Sequence, residues 1–500
     1  MAIPSLYTDY VGKMHQIADL RNASAVLQWD QETYLPPKGA PFRGQQISTL
    51  SEMSHQLFST PELGRLLEQL QEAPGLTERQ RRNVQLSLED YRKNKKYTSS
   101  FVRALSDQVN KTFHCWIEAR KANSFLSYAP ELEKLIALKR QEADLLGYEG
   151  HPYNALLDEF EKGSTVAQLD ATFSRLIPQL QTLLDRIASR DQVDDTFLRL
   201  HYPRQQQWDW GMELLRHLNF DFEAGRQDIS EHPFSTSFNT NDVRITTRVD
   251  EADFGNMTWS CIHEAGHALY EQGLPDSEYG LPLGEACSYS IHESQSRLWE
   301  NNVGRSKAFW AFHYPRLLSL FPQQLRGISL DSFYKGINKV TPSLIRTEAD
   351  EITYHFHVFI RYELEKKLIE GSLRTADIPA FWNEHYLKYL KVRVPDDKNG
   401  CLQDVHWSHG SFGYFPTYSL GSFYAAQFYS AAEKAIGGLQ QELEAGHTRS
   451  LLDWLRRNVH EKGRFYTSEA LCQSITGGPL DVDHFVNYLL QKYQTVYTLG

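Results

Sequence analysis

The sequence predicts a mainly α-helical protein with one small β element, on three observations. Apolar residues recur at helical spacing along most of the chain. The joints between these stretches are short and contain Pro, Gly or Asn, with no Gly/Ser linker, low-complexity tract or fixed-period repeat. A single stretch, 232–249, alternates apolar and polar residues at period two instead.

Taken in order, helical patterns run through 5–27, 44–72, 77–94, 100–124 and 130–146. The basic run Arg92 to Lys96 closes the third of these, where cations favour a helix C-terminus, so it reads as a solvated helix end. Between the first two, Trp29-Asp30-Gln31-Glu32-Thr33-Tyr34-Leu35-Pro36-Pro37 reads as a loop that anchors a helix pair. In 164–190, Phe173, Leu176, Ile177, Leu180, Leu183, Leu184 and Ile187 line one face behind a Ser164/Thr165 cap signal. Further patterns cover 206–219, 286–302, 306–321, 330–340, 346–370, 378–391, 421–445 and 449–460. The exception at 232–249 places Phe234, Thr236 and Phe238 opposite Val243, Ile245, Thr247 and Val249 around Asn239-Thr240-Asn241, which is a hairpin. Two strands alone are marginal in water, so the hairpin must pack on helices or join a small sheet.

With 500 residues, 41% of them hydrophobic, the chain can bury a large core, and without a linker it is treated as one domain, 1–500. A net charge of −11 leaves no broad positive field, which argues against nucleic acid as a partner. Five widely spaced cysteines with no C-x-x-C pair fit reduced thiols better than a disulfide framework. Lys13, Asp9, Asp19 and His15 interrupt any apolar signal core at the start, and no stretch reaches the roughly 18 apolar residues of a membrane span. A cytoplasmic location, without membrane contact, is therefore expected.

The chemistry concentrates at 261–273, which contains His263-Glu264-Ala265-Gly266-His267. On a helix, residues four apart share a face, so both imidazoles can meet one metal ion while Glu264 reaches a water beside it. Zinc suits such a set, and Glu264 is placed to act as general base and acid. Met257, Ile262, Ala265, Ala268 and Leu269 supply the apolar contacts of the helix, and Gly273 its stop. The metzincin extension would need a glycine at 270 and a histidine at 273; the chain has Tyr270 and Gly273, which excludes that class. A third ligand must then come from a later helix. Glu293, with 25 residues between it and His267, allows a turn and a return helix; Glu285, Glu300 and His292 are its rivals on spacing alone.

Six ordered stretches carry a family resemblance: His232-Pro233-Phe234, Asp242 to Thr246, His263 to His267, His292-Glu293-Ser294-Gln295, Ile345 to Asp350, and Gly400 to Trp407. With these motifs the chain resembles the carboxypeptidase Taq family of zinc metallocarboxypeptidases over nearly its whole length. The resemblance implies a saddle-like helical fold with a deep groove, a small sheet beside the metal, and a homodimer. It implies release of single amino acids from peptide C-termini with broad specificity, using one zinc ion per chain, or cobalt in some members. It also implies His263, His267 and Glu293 as ligands and Glu264 as the general base and acid.

A C-terminal exopeptidase must hold a free carboxylate, for which arginine has the matching planar fork. Arg346 in the Ile-Arg motif is the first choice and Arg244 the second, against ordinary ion pairs such as Arg346 with Glu348 or Asp350. The Gly-rich, aromatic segment 406–418 reads as a loop lining the site, with His406 and Tyr418 or Tyr414 as neutral donors to the developing oxyanion. The resemblance places the His232 motif and Asp242 to Thr246 at the closed end of the groove, and the hairpin prediction puts both on adjacent strands. An exposed strand edge there could pair with substrate backbone. The competing readings are a zinc endopeptidase or dipeptidase of similar fold, and a non-catalytic helical peptide-binding protein with a structural metal.

Overall fold

The computed structural model describes residues 3–499. It is mainly helical with one three-stranded sheet, as expected. The chain divides into two compact units. The first comprises the chain up to Lys95, Asp194–Ile337 and Tyr424–Leu480; the second comprises Lys96–Val193, Asn338–Phe423 and the chain from Asp481.

In the first unit, helices Ile3–Thr33, Ala40–Phe58, Pro61–Gln71 and Glu78–Asn94 lead the chain. Tyr10, Met14, Leu63, Leu67, Val84, Leu88 and Tyr91 make one apolar cluster between them. Two expectations change here. The helix expected over 44–72 breaks at Ser59, because Thr60 caps a new helix by accepting from the Leu63 amide and Pro61 starts it. Trp29 to Thr33, expected in a loop, form the last turn of the first helix, since the prolines at 36 and 37 constrain only the residues just before them. The basic run does close the helix Glu78–Asn94, which begins with a Thr77/Gln80 capping box.

The sheet lies in the same unit. Strand β1 is Gly225–Ile229, β2 is Ser235–Asn239 and β3 is Asp242–Thr247, in the order β1-β3-β2. The expected hairpin is the antiparallel pair β2/β3, with a register shift at Ser237/Asn239. The parallel partner β1 was not expected, because Gly-Arg-Gln-Asp-Ile lacks an apolar alternation. The His232 motif precedes β2 and is not part of it, although the Phe234 carbonyl still accepts from the Thr246 amide at 2.8 Å. After the sheet come the helices Phe254–Glu271 and Tyr289–Arg297, the latter continuing as a π-helical turn Leu298–Val303.

In the second unit, Ser99–Ala122, Phe125–Leu146, Val166–Ala188, Thr353–Glu370 and Asp483–Tyr497 are the long helices. The predicted face of 164–190 is buried from Phe173 to Ile187. The helix expected from 346 starts only at Thr353: the Asp350 carboxylate accepts from the Ile352 and Thr353 amides and caps it there, leaving Arg346–Glu348 as a separate turn. Tyr418, expected in a loop, sits in the first turn of Phe415–Ile436. That helix ends at Gly437 and Gly438, both at positive φ, which splits the pattern expected over 421–445. All five cysteines are free, and no helix among the described residues is long and apolar enough to cross a membrane.

Candidate metal and carboxylate sites

The metal-ligand candidates meet in the first unit because two helices come unusually close. Asp253 caps Phe254–Glu271 by accepting from the Gly255 amide, and the face formed by Met257, Cys261, Ile262, Ala265, Ala268 and Leu269 is buried. A side chain at Gly266 would put its Cβ 2.5 Å from Ser296 Cα and 2.6 Å from the Gln295 carbonyl oxygen. Only glycine lets the helix Tyr289–Arg297 pass there. That passage carries Glu293 to the two histidines.

Ligand atoms of His263, His267 and Glu293 lie within 4.8 Å of one another. Glu293 Oε2 is 3.7 Å from His263 Nε2 and 3.5 Å from His267 Nε2. The far side of each ring is held: His263 Nδ1 donates to Glu300 Oε2 at 2.9 Å, and His267 Nδ1 to the His292 carbonyl at 3.1 Å. Both acceptors are oxygens that can only accept, so each Nδ1 carries a proton and each Nε2 is the nitrogen turned toward Glu293. Two imidazole nitrogens of half-buried histidines and an oxygen of the buried Glu293 thus face one another, an arrangement that suits a cation. The residues present fit a divalent metal.

Burial disfavours charge on His263, but Glu293 and Glu300 outweigh it and raise this imidazole above its ordinary value, so a metal ion displaces a proton there. Burial, with His292 stacked at 4.5 Å, lowers His267 to about 4 and keeps it neutral. Burial opposes charge on Glu293, yet Arg297, whose Nε donates to Oε1 at 2.7 Å, and the two histidines hold it well below its ordinary value. Burial raises the Glu264 carboxyl to about 7 against the pull of His263 and of Ser235 on strand β2. The small sheet therefore does lie beside the metal candidates.

The rivals for the third ligand have other partners. Glu300 serves His263 Nδ1 and takes Arg297 Nη1 at 3.3 Å. His292 donates Nε2 to Glu271 at 2.8 Å, and Glu285 pairs with Arg464 at 3.0 Å. Of the other candidates in this unit, Arg244 forms a two-pronged pair with Asp242, both bonds 2.9 Å, and lies over the Trp29 ring at 4.3 Å. His232 is exposed, and its carbonyl accepts from the Ser230 hydroxyl.

The remaining candidates lie in the second unit. Arg346 is buried, and its partner is neither Glu348 nor Asp350 but Asp404, at 3.3 Å from Nε. Its Nη1 donates to the Tyr354 hydroxyl at 3.2 Å, and its guanidinium lies over the Tyr418 ring at 4.8 Å. His406 Nε2 is 3.2 Å from the Tyr418 hydroxyl; burial, then the Arg346 charge, lower this imidazole to about 3. Tyr414 packs edge-on against Tyr418 and Phe160, both at 5.1 Å. Sequence reasoning missed Arg361, a fully buried guanidinium bound to Asp404 and Gln403. The signal was a charge flanked at i−3 and i+3 by the apolar Val358 and Leu364.

The sequence profile of the carboxypeptidase Taq (M32) metallopeptidases matches residues 9–493. Carboxypeptidase 1 of Bacillus subtilis is 36% identical over 501 residues, covering 100% of both chains. Thermostable carboxypeptidase 1 of Thermus thermophilus is 37% identical, over 99% of this chain and 100% of its own. The crystal structure of an M32 carboxypeptidase from Deinococcus radiodurans superposes with a TM-score of 0.97 at 38% identity, over 99% of this chain and 100% of that one. Together with the metal-ready cluster on the His263 helix, these matches show that the chain belongs to the carboxypeptidase Taq (M32) family and is a metallocarboxypeptidase.

Proposed function

We propose that this enzyme releases single amino acids from peptide C-termini with broad specificity, using one zinc ion per chain, with cobalt as the alternative, held by His263, His267 and Glu293. The observation that carries this reading is the convergence of one ligand atom each from His263, His267 and Glu293 beside a buried Glu264. When bound, the ion supplies Lewis acidity, polarising the scissile carbonyl and making water a stronger acid.

The chain's own residues do the rest. Glu264 takes the proton from the attacking water and delivers it to the leaving nitrogen; burial, which raises its carboxyl above the ordinary value, strengthens it as a base. Arg346 receives the terminal carboxylate with N–H groups that the protein leaves open. His406, kept neutral, and Tyr418 stabilise the carbonyl oxygen as charge builds on it. Of the two tyrosines, Tyr418 has its hydroxyl on His406, whereas the Tyr414 ring packs against its neighbours, so Tyr414 lines the substrate and Tyr418 donates. Arg244, already paired, and His232 limit what extends past the cleaved bond. Backbone pairing along the edge strand β2 supports affinity without side-chain selectivity.

We read the whole chain as one catalytic domain, because the family profile runs from residue 9 to residue 493. The free cysteines support a cytoplasmic setting, and the family resemblance supports a homodimer. The test is amino-acid release from a short peptide with a free C-terminus and from its amidated twin, each with and without a chelator. Chelator-sensitive release from the free peptide alone is the expected result. Cleavage of both peptides would make the enzyme an endopeptidase, and cleavage of neither would make the chain a binding protein.

A further inference from the structure

Two buried arginines in the second unit share one carboxylate and use it in different ways. Arg361 has no exposed surface. Its Nε donates to Asp404 Oδ2 at 2.7 Å, and Nη1 donates to the His357 carbonyl at 2.9 Å and the Tyr386 hydroxyl at 3.3 Å. Its Nη2 donates to Asp404 Oδ2 at 2.5 Å and to Gln403 Oε1 at 2.9 Å. A guanidinium has five N–H groups, and here all of them are engaged, so Arg361 has none left for a ligand.

Arg346 is held more sparingly. Its Nε reaches Asp404 Oδ1 and its Nη1 the Tyr354 hydroxyl, while no acceptor among the described residues receives Nη2. Its backbone N–H donates at 3.1 Å to Gln403 Oε1, the same oxygen that accepts from Arg361. Asp404 and Gln403 are therefore the two levers between the arginines, one acting on the Arg346 side chain and the other on its backbone. Two guanidiniums share the one carboxylate of Asp404, His406 and His357 beside them are neutral, and the other buried carboxyl near Arg361, Glu365, is raised to about 7 by burial and is bound to Tyr153, Trp407 and the Gly413 amide. Asp404 is shared between two guanidiniums, so an incoming carboxylate can form a charge-assisted pair with Arg346 where an amide cannot.

We propose that Arg361 is the positioning residue of a carboxylate receptor: it saturates itself on Asp404 and Gln403, and these hold Arg346 with an open N–H edge toward the substrate's terminal carboxylate. The inference rests on the role proposed above for Arg346. Lysine cannot replace Arg361, because one ammonium lacks the planar fork that reaches both acceptors together.

The test uses the full-length, metal-loaded enzyme and a peptide with a free C-terminus. Arg361→Lys should raise KM about tenfold or more while kcat changes little, since the loss falls on a charge-assisted hydrogen bond to bound substrate. Inhibition by an N-acetylated amino acid should weaken in the same proportion, and weak inhibition by its amide should stay unchanged. In a double variant, Arg361→Lys should add almost nothing to the KM of Arg346→Met. Additive effects, or an unchanged KM for Arg361→Lys, would overturn the positioning role while leaving Arg346 as the receptor. An unchanged KM for Arg346→Met would instead overturn the Arg346 reading itself. If circular dichroism shows Arg361→Lys unfolded, Gln403→Met takes its place, because it removes the shared acceptor and keeps every charge. The same KM rise and the same non-additivity are then expected, and an unchanged KM overturns the proposal.

Discussion

Glu300 Oε2 lies 2.9 Å from Nδ1 of His263, on the side of the ring away from Glu293. The contact crosses from the helix Phe254–Glu271 to the π-helical turn Leu298–Val303. A π-helical turn widens the helix by one residue per turn and re-aims the side chains beyond it, and such turns recur at functional sites. Here it brings a carboxylate behind one ligand candidate while Glu293, seven residues earlier, faces the ligand atoms.

Glu300 should therefore control metal affinity without binding the metal. Glu300→Gln keeps the shape but weakens the orientation and basicity of His263, and metal affinity is expected to fall about 10- to 100-fold. Competition with a chromophoric chelator measures this. An affinity equal to the parent's would show that Glu300 matters only to its ion pairs with Arg297, at 3.3 Å, and Arg305, at 3.7 Å.

Gly266 predicts a coupling between packing and metal binding. Gly266→Ala places a methyl group 2.5 Å from Ser296 Cα, and backbone has little room to yield. The helices must part, at a cost of about 1–3 kcal/mol in metal-free stability. Because Glu293 rides on the displaced helix, metal affinity should fall too. Denaturant melts of the apo variant together with a metal titration check both, and a destabilised variant with parental affinity would separate the two effects.

Glu264→Gln should leave folding and metal content intact and cut turnover by about 10²-fold or more. Metal analysis of the purified variant beside its kcat decides this. Full activity in the variant would remove Glu264 from the mechanism.

Asp404 predicts the acid limb of stability. Its carboxyl is buried, yet Arg361 and Arg346 hold it well below the ordinary value of 3.8. A depressed carboxyl contributes stability above its unfolded pKa, and the contribution fades as pH falls through the folded value. Asp404→Asn should thus cost most at pH 7, where it also strands two guanidiniums. The gap between parent and variant should narrow steadily in denaturant melts below about pH 4. A gap that is constant with pH would mean that Asp404 is held by packing and not by its charge.

The local chemistry was readable before any coordinates. His263, Glu264 and His267 follow from four-residue spacing on a helix, and Glu293 was the first of several choices because a turn and a return helix fit between it and His267. The hairpin followed from its alternation, and the helices from their apolar stripes. Misjudged boundaries lay where a short polar side chain overruled periodicity, as Thr60 and Asp350 do by capping a helix in mid-pattern. Strand β1 escaped because its residues carry charge on a strand that is held by its neighbour's backbone.

What the sequence determined by itself is the set of local, short-range relations: which residues share a helix face, which faces are apolar, and that a metal-binding motif lies after a hairpin. Only tertiary structure decided that Glu300 backs His263, that Gly266 sets the approach of Glu293, and that Asp404 joins Arg346 to Arg361. The physical reason is reach. Helix geometry fixes neighbours three and four residues apart, whereas a hydrogen bond between residues dozens of positions apart exists only once buried packing has chosen the partner.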